Sequence, residues 1–271
     1  MNELDRYKAL ANRLADAAAL QTVPRFRTDT APIDKGGHPS GYDPVTEADR
    51  QAEAAIRAIL REEVPTHGIL GEEFGILEGT APWTWILDPI DGTRAFVSGF
   101  PSWGTLIGLM HDGAEREAII GIIDQPWLKE RWVGTPQGTT LDDRQGERAV
   151  HVRPCADIGD AIFSSTTPAL FISMAERAAF TALMARTRFH RMGADCYAYG
   201  LLACGFVDLI VECQLEPYDL GGVIPVVRGA GGIITSWEGT SPVHGGTVVA
   251  AGDPRVHAQA LELLRATGAT R

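Results

Sequence analysis

A chain of 271 residues is long enough for one large domain or for two lobes sharing a site, and 45% hydrophobic with 22% charged residues is ordinary for a globular protein. The formal net charge of −11 argues against nucleic acid as a partner, because binding there rests on Lys and Arg neutralising phosphates. No apolar run approaches the ~20 residues that span a bilayer. The opening MNELDRYKALANRLADAAAL lacks the basic start and apolar core of a secretory signal, so a cytoplasmic protein with no membrane partner is expected.

Leu4, Tyr7, Leu10, Ala11 and Leu14 recur at helical spacing and predict a first helix over 3–20. Residues 23–45, with Pro24, Pro32, Pro39, Pro44 and Gly36–Gly37, read as a loop with room to move. A second helix is expected from Thr46 to Glu63, buried through Ile56, Ile59 and Leu60 and ended by Pro65. Short apolar runs at Ile69–Leu70, Trp83–Leu87, Thr105–Met110, Ile119–Ile123 and Arg131–Val133 predict strands. Thr135–Gly146 is polar and turn-rich, and a lobe boundary is expected just after it, giving lobes of 1–147 and 148–271. Beyond it, strands are expected at 162–164, 207–211, 232–236 and 247–251, with helices at 171–184, 197–204, 217–229 and 254–266. Alternation of this kind indicates layered α/β packing. Cys155, Cys196, Cys204 and Cys213 form no CxxC pair and no histidine lies at finger spacing, so reduced thiols are expected rather than a zinc site.

The most informative segment is WTWILDPIDGTRAF, residues 83–96. An apolar run ends at Asp88, Pro89 is expected to break the strand, Gly92 permits a tight turn, and Thr93 starts a helix. Asp88 and Asp91 then project from one turn, where two carboxylates repel each other unless a cation lies between them. Magnesium suits such a site, since it takes hard oxygen ligands and leaves positions for water and phosphate. The amides of Gly92 and Thr93, at a helix N-terminus, suit a phosphate oxygen. A capped turn explains the same residues without any ligand. Other acids keep them company. Glu72 and Glu73 follow a short strand. Thr46 and Asp49 have capping-box spacing, which accounts for that pair on local grounds. Asp219 stands in the first turn of a helix, where an acid is stabilised by the dipole.

Taken together, these segments resemble the inositol monophosphatase superfamily. Its signatures are an apolar stretch ending D-P-[IL]-D-G-T, present as Trp85–Thr93, and a later W-D-x-[AG]-[AG], present as Tyr218–Gly222 with Tyr in place of Trp. A G-E-E at Gly71–Glu73 and a T-x-x-D at Thr46–Asp49 complete the order, so the resemblance covers nearly the whole chain. Within the superfamily the chain is most similar to the histidinol-phosphate phosphatase branch, through residues 105–113, 121–134 and 195–212. Leu220–Gly221–Gly222 departs from the Phe-Leu-Ala usual there, and reads as a loss of side chains beside the site.

The resemblance implies a layered αβαβα sandwich and a phosphomonoesterase using two or three magnesium ions. It implies that Glu72, Asp88 and the carbonyl of Ile90 hold one ion, that Asp88, Asp91 and Asp219 hold a second, and that Glu72 reaches a third through waters. It implies that Thr93 and Asp49 orient and deprotonate the attacking water. Glu212 then faces the organic part of a small phosphate monoester, with Asp195 nearby, and two acids suit an amine and an imidazole. A strand-end surface acid and a helix N-cap are the plainer accounts of these two. The resemblance also implies a homodimer. Histidinol phosphate is the leading substrate, inositol 1-phosphate or another small metabolite phosphate the alternative, and a non-catalytic binding protein on the same fold the alternative of a different class.

Overall fold

The computed structural model describes residues 2–28, 32–34, 44–113 and 116–270. In chain order the elements are α1 (Glu3–Thr22), β1 (Ile33–Asp34), β2 (Pro44–Val45), α2 (Glu47–Glu63), β3 (Gly68–Gly71), β4 (Gly75–Leu77), β5 (Trp83–Asp91), α3 (Thr93–Ser98), β6 (Gly104–Asp112), β7 (Arg116–Gln125), β8 (Glu130–Thr135), β9 (Gly138–Asp143) and β10 (Gly146–Val150). Then follow β11 (Ile162–Ser165), α4 (Met174–Arg186), β12 (Phe189–Met192), α5 (Tyr197–Ala203), β13 (Leu209–Leu215), α6 (Pro217–Gly221), α7 (Val223–Gly229), β14 (Ile233–Thr235), β15 (Gly246–Ala251) and α8 (Pro254–Ala266). Most of the loop expected over 23–45, namely residues 29–31 and 35–43, lies outside the described residues.

β1 pairs with β2, and the other strands form an eight-stranded sheet, β10-β9-β8-β7-β6-β5-β3-β4, and a five-stranded sheet, β12-β11-β13-β15-β14. Period-two alternation divides each between two faces. Trp85, Leu87, Ile107, Leu109 and Ile122 face α1 and α2, whereas Ile86, Leu106 and Ile123 face α5 to α7. In the second sheet Ile210, Val248 and Ala250 join that same inner layer, while Leu209, Val211, Val249 and Ala251 face α4 and α8. The result is an αβαβα sandwich. Each full burial of a Leu or Ile in these layers contributes about 1.5–3 kcal/mol.

Several boundaries differ from the sequence reading. The turn-rich stretch Thr135–Gly146, where no strand was expected, holds β9 and the start of β10, which form an antiparallel hairpin at the sheet edge. The expected helix over 217–229 is two helices, broken at Gly222. β4 and β12 carry no strong apolar run and were not expected. Pro89 does not end its strand. β5 runs on to Asp91 through a register shift between Asp88 and Asp91, and proline is tolerated at such an irregularity.

One packing feature positions the site. Gly108, Gly121 and Gly134 pair across β6, β7 and β8 and form a row on the inner face. The backbone of α6 and α7 lies directly on that row. A Cβ at Gly121 would stand 2.1 Å from Gly222 O, and one at Gly134 would stand 2.3 Å from Pro225 C. Gly121→Ala therefore meets backbone that cannot yield cheaply. It is expected to destabilise by about 3 kcal/mol, the upper end for overpacking, with a fall in melting temperature of several degrees by calorimetry. A variant melting within a degree of wild type would show that α6 and α7 are not held by this approach.

Candidate active site

Asp88 and Asp91 lie at the C-terminal end of β5. Asp88 Oδ1 accepts from Ile90 N at 3.1 Å, and Pro89 O accepts from Thr105 Oγ1 at 2.8 Å, so the irregular stretch is held from both sides. Gly92 follows with φ +80°, a left-handed conformation that glycine takes without steric cost, and a Cβ there would crowd Asp195 Cγ at 2.9 Å. Thr93 then opens α3, and its Oγ1 donates to Ile90 O at 3.0 Å. Phe26, Phe96, Trp103, Ile90, Ala48 and Ala95 pack beneath this turn as a separate apolar cluster.

Asp219 arrives from the other half of the chain. It is the N3 residue of α6, where its Oδ2 accepts from Glu216 N at 2.7 Å. Because α6 lies on the glycine row, its first turn sits over β5. Gly221 and Gly222 belong to that contact, not to the pocket: a Cβ on them would strike Ile86 Cβ at 2.7 Å and Ile122 O at 2.6 Å. Carboxylate oxygens of Asp88, Asp91 and Asp219 lie within 4.8 Å of one another, the one such group of potential metal ligands among the described residues.

Burial raises all three carboxyls, and the charges of neighbouring acids add to the rise. Asp88 stands well above the usual carboxylate range, first by burial and then by the charges of Glu72, Asp91 and Asp219. Asp219 is likewise well above it, by burial and then Asp91. Asp91 is pushed up to about 6 by burial, although its Oδ2 accepts from Cys196 N at 2.6 Å. A buried all-oxygen set that holds its own protons for want of a counter-charge fits a hard divalent cation.

Glu72 follows β3 in a turn whose backbone stays joined to the site strand, with Glu72 N donating to Leu87 O at 3.1 Å, and its carboxyl shares a hydrogen bond with Asp88. The turn is tied to α2 by a residue that the sequence reading passed over. Buried Glu53 accepts from Glu73 N at 2.7 Å and Phe74 N at 3.2 Å, and pairs with Arg57 at 2.7 Å. The signal was available: Asp49, Ala52, Glu53, Ile56, Arg57 and Leu60 form one buried stripe along α2, and three of its members are charged. Asp49, at N3 of the same helix, completes the capping box, its Oδ2 accepting from Thr46 N at 2.8 Å and Thr46 Oγ1 at 2.6 Å. Burial pushes it up to about 6 against those bonds, with the charge of Glu72 adding to the rise.

Asp91 and Asp219 open onto a cavity of ≈ 530 Å³, counted with its open mouth, whose other walls include Asp195, Tyr199, Glu212 and Gln214. Asp195 does not cap α5, whose N-cap is Cys196. Its Oδ2 accepts from Ser102 Oγ at 3.1 Å, and burial followed by the Asp91 and Glu212 charges pushes it up to about 7. Glu212 is no surface acid either, at 3% exposed. Its Oε1 accepts from Thr166 N at 2.6 Å and its Oε2 from Tyr199 OH at 2.7 Å. Burial raises it above the ordinary range and those two bonds offset part of the rise. Sequence reasoning missed Tyr199 and Thr166, because a tyrosine in an apolar helix and a backbone amide after a strand carry no pattern of their own.

A three-carboxylate cluster beside a polar cavity, in an αβαβα sandwich, is suited to cation-assisted hydrolysis. The inositol monophosphatase family profile matches residues 3–269. The chain is 42% identical to the bifunctional phosphatase IMPL2, chloroplastic, of Arabidopsis thaliana over 97% of its length and 76% of that protein. It is 36% identical to a histidinol-phosphatase of Mycobacterium tuberculosis over 89% of its length and 91% of that protein. A solved inositol monophosphatase from Zymomonas mobilis superposes with a TM-score of 0.84 at 38% identity, covering 98% of this chain and all of that one. The chain belongs to the inositol monophosphatase family, and it is a phosphomonoester hydrolase.

Proposed function

We propose that the protein is a magnesium-dependent histidinol-phosphate phosphatase, hydrolysing L-histidinol phosphate to L-histidinol and phosphate. The observation that carries this reading is the pair of acids, Asp195 and Glu212, on one cavity with Asp91 and Asp219. An alcohol bearing an ammonium and an imidazole meets two carboxylates there, whereas a polyol would leave buried carboxylates without a cationic partner. Relatives named histidinol-phosphatase at 33% and 36% identity support the same substrate, while a probable inositol 1-monophosphatase of Mycobacterium tuberculosis at 30% keeps inositol 1-phosphate as the alternative.

In this reading Glu72, Asp88, Asp91, Asp219 and the Ile90 carbonyl hold magnesium. When bound, magnesium lowers the pKa of water and offsets charge on the phosphoryl oxygens. The chain's own residues supply the rest. Thr93 Oγ1, fixed by its bond to Ile90 O, and Asp49, with its raised proton affinity, orient the attacking water and take its proton. The amides of Gly92 and Thr93 face an equatorial phosphate oxygen. Asp195 and Glu212 align the alcohol so that its oxygen leaves in line with attack. Both lobes therefore contribute, residues 1–147 most of the metal ligands and 148–271 Asp219 and the substrate wall. The resemblance extends the reading to a homodimer in the cytoplasm.

The test is phosphate release from histidinol phosphate and from inositol 1-phosphate, side by side, with and without magnesium. Expected is a magnesium-dependent rate at least tenfold higher in kcat/KM for histidinol phosphate. Equal or reversed rates would remove the substrate assignment and leave the hydrolase.

A further inference from the structure

We infer that Gln214 is a specificity-determining residue of this pocket, its carboxamide reading an uncharged polar group on the leaving alcohol. The inference deepens the histidinol-phosphate reading and rests on it for the identity of that group.

The starting point is an irregularity in β13. Glu212 pairs with Val248 and Leu215 with Gly246, so Cys213 and Gln214 together oppose Thr247 alone. This is a bulge, a device that re-aims side chains and recurs beside active sites. Within it the two residues part company. Cys213 is fully buried, with its Sγ against Leu170 O at 3.3 Å. Gln214 is exposed and lines the cavity together with Asp195, Glu212 and Asp219.

The backbone at Gln214 has φ +63°, in the left-handed region that glycine enters freely and a side chain with a Cβ does not. A glycine would satisfy the bulge at lower steric cost. The glutamine is not repaid by a bond of its own, because its amide makes no hydrogen bond among the described residues. A strained conformation kept for a side chain that the fold does not use, on the wall of the site, points to a role toward ligand.

The chemistry of the wall defines that role. Asp195 and Glu212, when ionised, only accept hydrogen bonds, which suits an ammonium. A carboxamide donates and accepts at once. It is the complement of a neutral imidazole, which offers one N–H and one bare nitrogen. Gln214 thus supplies what the two acids lack, a contact that distinguishes a heteroaromatic alcohol from a simple amine.

The test compares Gln214→Gly and Gln214→Ala with wild type, using histidinol phosphate, inositol 1-phosphate and p-nitrophenyl phosphate, with melting temperature measured alongside. Both variants are expected to raise KM for histidinol phosphate tenfold or more. Their preference for it over p-nitrophenyl phosphate should shrink by at least the same factor. Gln214→Gly should melt at or above wild type, since it relieves the left-handed strain, and so the loss of selectivity cannot be charged to unfolding. Unaltered selectivity in both variants overturns the inference. So does a uniform loss on all three esters accompanied by a lower melting temperature in the glycine variant, because that is the mark of a structural residue. If wild type prefers inositol 1-phosphate, the histidinol reading fails by itself. The role of Gln214 is then decided on inositol 1-phosphate by the same ratio.

Discussion

Asp91→Asn is expected to lower kcat by about a thousandfold, equivalent to about 4 kcal/mol of transition-state stabilisation, while raising the melting temperature of the magnesium-stripped protein. The two effects have one cause. Asp91 faces Asp88 and Asp219 within 4.8 Å, and without a cation these groups repel one another. Asparagine keeps an oxygen to accept from Cys196 N, so the local hydrogen bond survives. The carboxylate charge is removed, and with it the repulsion and, in the proposed reading, the capacity to hold magnesium.

The pH dependence gives a second readout of the same substitution. Asp91 stands at about 6 in the folded chain against about 3.9 for an unperturbed carboxyl. A folded-state pKa above the unfolded one means that the folded form binds the extra proton. That contribution to stability is fully present below about 3.9 and is lost as pH rises through about 6. Metal-stripped wild type should therefore lose stability relative to Asp91→Asn between pH 4 and pH 7 by roughly 2–3 kcal/mol, the linkage equivalent of a shift of about two units. His67 and His257, both lowered by burial, push stability the opposite way. They are common to both proteins and cancel in the difference. Saturating magnesium should abolish the advantage of the variant. A variant with near-normal rate at limiting magnesium would sink the assignment of Asp91 as a ligand.

The layered architecture was readable from the chain because each central strand carries an unbroken apolar run and each long helix an apolar stripe. The edge hairpin β9–β10 was not, because its sequence is mostly polar, and Leu141 and Val150 are the apolar side chains it buries, too few to make an apolar run. Pro89 misled for a related reason. Proline removes a ladder donor, but Asp88 to Asp91 is where the ladder with β6 is already irregular. The split of 217–229 at Gly222 depends on β6 and β7 lying beneath it, a contact made by Ile107 and Ile122, far earlier in the chain. The carboxylate cluster was legible as a motif because Asp88 and Asp91 share a turn. Asp219 joins them only through the glycine row. For Asp49 the capping box and a place beside Glu72 are both present, so neither account displaces the other.

Glu53→Ala is the substitution expected to damage the fold most. Arg57 is 4% exposed and has its Nε on Glu53 Oε1, with NH2 on Gly75 O. Deleting Glu53 leaves a buried guanidinium without its counter-charge, which costs about 3–5 kcal/mol. It also strands the amides of Glu73 and Phe74, which have their hydrogen bonds to the same carboxylate. Glu72, the residue before them, is expected to lose its fixed approach to Asp88, so the magnesium concentration for half-maximal rate should rise several-fold. Two causes of lost activity can be separated by replacing both partners. In Glu53→Met/Arg57→Met no buried charge is left alone, and apolar replacements of a buried pair are often neutral or stabilising. Most of the stability should therefore return. The magnesium requirement should stay raised, because neither methionine can accept from the turn amides as a carboxylate does. Recovery of both properties in the double variant would mean that the pair serves the fold and not the placement of Glu72. Recovery of stability alone assigns Glu53 as the positioning residue that carries the end of β3 to the carboxylate cluster.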